Sequence, residues 1–113
     1  NIAVNAFCYL YADKSEHIRI VLWETILSQT FQIIRRRYPA EIVCDKTVWG
    51  ISELTALLIL GEILGLNVDA GFGDYVQLNP YIPAFKGFYL GRNDFEDYID
   101  KTVQHMCQNP LCI

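Results

Sequence analysis

The sequence predicts a single α/β or α+β domain, a small sheet of three or four strands packed with three helices, with a mostly α arrangement as the alternative. Three observations carry that reading. Residues 2–11, IAVNAFCYLY, alternate at the period of two that a strand requires. Residues 18–38 repeat apolar side chains at three- and four-residue steps, the signature of a helix. Residues 50–67, GISELTALLILGEILGLN, are apolar almost all the way round, so they need protein cover on nearly every side. With 113 residues, 52% of them apolar, the chain suits one domain, 1–113, with ample core and no need of disulfides to fold.

Each element has its own grounds. The strand at 2–11 is apolar on both faces, which makes it central. Asp13 offers an N-cap, with Glu16 three residues on to close a capping box. The helix that follows carries Ile20, Trp23, Leu27, Phe31, Ile34 and Tyr38 as its core stripe, widened by Ile18, Leu22, Ile26 and Ile33. Arg35, Arg36 and Arg37 suit the negative end of its dipole, and Pro39 stops it. The β-branched content of 41–49, EIVCDKTVW, predicts a strand. Ser52 is placed to cap the apolar helix, which ends near Gly65 or Asn67. Gly61 within it predicts a close neighbouring backbone. Glycines and prolines between 67 and 87 predict a long loop with a short strand at 75–78, and a further short strand fits 88–91. Asn93 and Glu96 predict the start of a last helix whose core face is Phe95, Ile99, Thr102 or Val103, and Met106.

Charge excludes some roles. The formal net charge of −4 argues against nucleic acid or an anionic membrane surface as a partner. The longest apolar run is 54–60, extending it to Leu66 takes in Gly61, Glu62 and Gly65, and a bilayer span needs about 20 apolar residues, so this segment is expected to be a buried helix or half of a homodimer interface through 52–66. No basic-then-apolar signal peptide opens the chain, although Asn1 in first place fits either a processed form or a fragment. Cys8, Cys44, Cys107 and Cys112 are too sparse to choose between an exported, disulfide-bonded protein and a cytoplasmic one with reduced thiols. A bridge, if present, is expected to involve Cys107 or Cys112.

No run has the spacing of a catalytic or cofactor motif. His105, Cys107 and Cys112 make H-x-C-x4-C, which lacks the paired cysteines of a zinc site, so no metal is expected. Gly71-Phe72-Gly73 lacks the third glycine of a dinucleotide loop, and no cofactor is expected. Arg35-Arg36-Arg37 spread round a helix rather than forming a phosphate grip. His17 and His105 are the available bases for a Cys–His pair, without evidence that either meets a cysteine.

Two surfaces remain. Asp94, Glu96, Asp97 and Asp100 surround Tyr98 at the start of the last helix, an arrangement suited to a basic protein partner: the carboxylates steer and the tyrosine anchors. Tyr75, Tyr81, Phe85 and Tyr89 form an aromatic stretch able to line a pocket or a partner-binding loop. The first reading is therefore a non-enzymatic protein-binding domain, an inhibitor or immunity-type protein that neutralises a basic toxin or nuclease. The second is a binding or sensor domain for a small apolar ligand, between the apolar helix and residues 72–89. The third is a small enzyme with a Cys–His or carboxylate site.

Overall fold

The computed structural model describes residues 14–111, and the expected strand at 2–11 lies outside them. Among the described residues four α-helices make the fold: α1 (Lys14–Arg37), α2 (Asp45–Leu64), α3 (Ile82–Leu90) and α4 (Phe95–Gln108). Two short 3-10 helices, Val68–Ala70 and Val76–Tyr81, join α2 to α3. No strand occurs among the described residues. The α/β expectation is thus overturned, and the mostly α alternative fits.

Each misread strand has a physical explanation. At 41–49, the chain leaves Pro39 through a turn in which Ile42 N and Val43 N both donate to Pro39 O, at 2.9 and 3.1 Å. Cys44 is the extended N-cap of α2, and Asp45 lies in its first turn. Val48, Ile51 and Thr55 then fall on a buried helical row at three- and four-residue steps, which outweighs their β-branched preference. Ser52 is consequently an interior residue, its hydroxyl bonded back to Val48 O at 2.7 Å. Residues 75–78 enter the second 3-10 helix, and 88–91 fall at the end of α3. Pro83 sits in the first turn of α3, where a missing N–H costs nothing. Ile82, Phe85 and Tyr89 face inward at helical spacing.

α2 is the central element. It packs along α1 on one side and against α3, α4 and both 3-10 helices on the others. Residues 50–58 are buried without a break, as is Leu60. One helix of this length and composition passes for a membrane span, but 61% of its window is buried inside the protein, the behaviour of a core helix. Its last turn is open, with Ile63 and Leu64 exposed, and a homodimer through 52–66 would have only that turn to use. Gly65 ends the helix in the left-handed region, φ 71°, its N–H bonded to Gly61 O. Gly61 itself is crowded by the Val68 side chain rather than by a neighbouring backbone.

α1 matches its expected course, with Thr30 and Ile34 most buried. Ile18 and Phe31 are exposed instead of joining its core stripe, and Phe31 lies under the Arg35 guanidinium at 5.5 Å. The cap of α4 is Asp94 rather than Asn93. Its carboxylate accepts from Asp97 N at 2.7 Å, while Asp97 reaches back to Asn93 N at 3.2 Å, a reciprocal capping box one residue later than expected.

Candidate functional site: an aromatic arc around a buried carboxylate

The acidic start of α4 is occupied by the protein itself. Arg37, at the end of α1, grips Asp100 with two hydrogen bonds of 3.0 and 2.6 Å and reaches Glu96 at 3.1 Å. Tyr38 donates to the same Asp100 at 2.6 Å. Asp97 pairs with Lys101 at 3.1 Å. The Arg37 bonds hold the Asp100 carboxyl below its ordinary range, and the Asn93 N–H does the same for Asp97. Asp94 and Glu96 are exposed. Tyr98 is fully buried: it packs on Tyr89, Phe85 and Phe95. Thr55 already donates to Ile51 O, so the Tyr98 hydroxyl donates to Thr55 Oγ1, at 2.8 Å. Tyr98 therefore cannot serve as the exposed anchor assigned to it above.

The second expected surface is divided. Tyr81, Phe85 and Tyr89 belong to the core, whereas Tyr75 is exposed. Tyr75 continues a different structure, which begins with Glu53 of α2. Glu53 is only 6% exposed, and Trp23 of α1 donates its indole N–H to its carboxylate at 3.0 Å. Trp49, one turn earlier on α2, also favours the charged form. Burial outweighs both and raises the Glu53 pKa, with Glu24 adding like-charge repulsion. No cationic group pairs with Glu53 among the described residues.

The loop after α2 completes the arrangement. Gly71 takes φ 73°, and a side chain there would also collide with Asn79 at 2.5 Å, so the position requires glycine. Asn79 brackets the next residue, accepting from Phe72 N at 2.7 Å and donating to Phe72 O at 3.2 Å. The pinned Phe72 ring meets Trp23 at right angles, centroids 6.2 Å apart, and Tyr75 at 6.3 Å. Tyr75 meets Trp49 edge-on at 5.1 Å. The four rings form an arc whose Trp23 end donates to the Glu53 carboxylate.

An open groove of about 530 Å³ lies at the Trp23–Phe72 end of this arc. Ile20, Trp23, Leu57, Leu66 and Phe72 form its apolar wall, and Arg19, Asn67 and Asp74 its polar rim. Arg19 is held by Glu16 at 2.9 Å. A second depression, about 610 Å³, lies beside Pro80, Pro83 and His105. His105 is packed against the rings of Tyr81, Phe85 and Phe88. Cys44 and Cys107 are free, exposed thiols, and Cys44 is hydrogen-bonded to Thr47, which lowers its pKa. Cys8 and Cys112 lie outside the described residues.

Sequence reasoning missed Glu53, Trp23 and Trp49 as a unit. The signal was present: a carboxylate flanked by apolar residues in the middle of the helix, and tryptophans whose N–H groups need acceptors when buried. Comparison with known proteins finds no matching family model, no matching curated relative and no matching solved structure.

Proposed function

We propose that this is a non-enzymatic binding domain that holds a small, largely apolar molecule in the groove between α1, α2 and the 65–74 loop. One observation carries the reading: Trp23 and Phe72, the latter fixed by the Asn79 clamp, wall an open groove, and the same Trp23 donates its indole N–H to the buried Glu53. Ligand sites combine apolar walls with a few placed polar groups in this way.

The test uses the tryptophans as reporters, because both of the chain's tryptophans, Trp23 and Trp49, belong to the arc. Small amphipathic fragments should shift the indole N–H resonances of the intact domain. Gly73 lines the groove, and a Cβ there meets nothing within 4 Å, so Gly73→Phe should fill the groove without disturbing the fold. Loss of the shifts in that variant supports the reading, and shifts that persist in it, or none in the parent protein, refute it.

A second reading, an inhibitor or immunity-type protein docking a basic partner at the start of α4, draws on the exposed Asp94 and Glu96 and the net charge of −4. It ranks lower because Glu96 and Asp100 already bind Arg37 and Tyr98 is buried.

A further inference from the structure

We propose that the groove selects an organic cation of the alkylammonium class, held against the faces of Trp23 and Phe72 with Asp74 as its countercharge. This rests on the groove being a binding site, as argued above.

The inference begins with the charge on Glu53. A buried carboxylate is ordinarily paired with a cation, because leaving water costs several kcal/mol. Glu53 has the Trp23 indole donor and a like-charged neighbour, Glu24, and nothing positive among the described residues. Its negative charge is therefore passed to the groove through Trp23. Donation from the indole N–H to a carboxylate pushes electron density into the ring, which makes the ring face more negative. That face, with Phe72 set at 90° to it, forms a corner of two aromatic walls. Such walls attract ammonium groups whose charge is spread over methyl or methylene carbons, since these give up little hydration on leaving water. Asp74 stands at the rim, whereas the one cation there, Arg19, is already matched by Glu16. A neutral ligand gains nothing from this charge arrangement, and an anion is opposed by it.

Titrating the intact domain with choline and with its neutral carbon isostere, 3,3-dimethylbutan-1-ol, separates charge from shape. The cation should bind about ten-fold more tightly, within the range expected for a partly desolvated cation on an aromatic face. Glu53→Gln keeps the acceptor for Trp23 but removes the charge, so it should reduce that preference several-fold. Asp74→Asn, at an exposed position that does not endanger folding, should also reduce it. Equal affinity for the two probes overturns the cation preference while leaving the groove as a binding site. Binding of neither probe overturns both readings. A preference unchanged in both Glu53→Gln and Asp74→Asn overturns the proposal as well.

Discussion

Two regions of this protein handle carboxylates in opposite ways. Where the end of α1 meets the start of α4, the carboxylates lie at or near the surface and are answered: Arg37 and Tyr38 for Asp100, Arg37 for Glu96, Lys101 for Asp97, the Asp97 N–H for Asp94. Between α1 and α2, Glu53 is buried and has the Trp23 hydrogen bond but no countercharge among the described residues. The first region is a fastener that fixes two helices, and its cluster of charges is explained by folding alone. The second holds a buried charge that folding does not explain, because well-packed apolar side chains would serve the core as well or better. The densest group of charges is thus the weaker guide to function here, and one misplaced carboxylate is the stronger.

The largest expected effect tests whether the fastener region is structural. Tyr98 lies in the middle of the acidic cluster in sequence, yet it is fully buried between α2, α3 and α4. Replacing it with alanine should cost about 3–5 kcal/mol in chemical denaturation. Tyr98→Phe, which deletes only the hydroxyl and leaves Thr55 bonded to Ile51 O, should cost about 1 kcal/mol. A loss below about 1 kcal/mol for the alanine variant would return Tyr98 to the surface and reopen the acidic face as a docking site.

The same residue shows what was legible. Helices α1 and α4 could be read because their apolar positions repeat at helical spacing and their ends carry arginines or a capping box. Tyr98 was assigned outward on account of its acidic neighbours, although it stands four residues before Thr102 on the core side of α4. The strand expected at 41–49 rests on β-branched content, a preference that the helical packing of Val48 overrides, and the short strands expected at 75–78 and 88–91 give way to the packing of Leu78 and Tyr89. Prolines misled in the same stretch: Pro83 starts α3, and Pro80 lies inside a 3-10 helix. Glu53 was visible as a break in an apolar run. Its partners were not, since Trp23 is 30 residues away and Phe72 reaches the arc only through the turn at Gly71 and the Asn79 side chain.

A smaller effect should appear at Glu53. Its pKa is raised in the folded protein, mainly by burial, above the ordinary unfolded value of about 4.3. The sign of the linkage follows. The carboxyl supports folding fully below the unfolded value, and that support is lost as pH rises through the higher folded value. Glu53→Gln does not titrate, so it should match the parent near pH 4 and exceed it in stability at pH 7. Thermal melts of both proteins across this interval measure the gap. A gap independent of pH would mean that Glu53 is not perturbed by its surroundings, and the contrast between the two regions would lose its basis.

The smallest effect belongs to Asp100, and its sign is the reverse. The Arg37 and Tyr38 bonds lower its folded pKa, so its support for folding is present above the unfolded value, about 3.9, and is lost as pH falls through the folded value. Asp100→Asn should therefore be less stable than the parent at pH 7, and the difference should close in the acid range below about pH 4. The magnitude should be modest, because the carboxylate is 41% exposed and solvent screens the pair. Added salt should shrink it further, whereas the Glu53→Gln gap, arising in the interior, should hardly respond. The two variants thus diverge in opposite directions from the parent at neutral pH and converge on it in acid. If Asp100→Asn instead gained stability at pH 7, Arg37 would not be holding the carboxylate, and the acidic start of α4 would again be free to meet a basic partner.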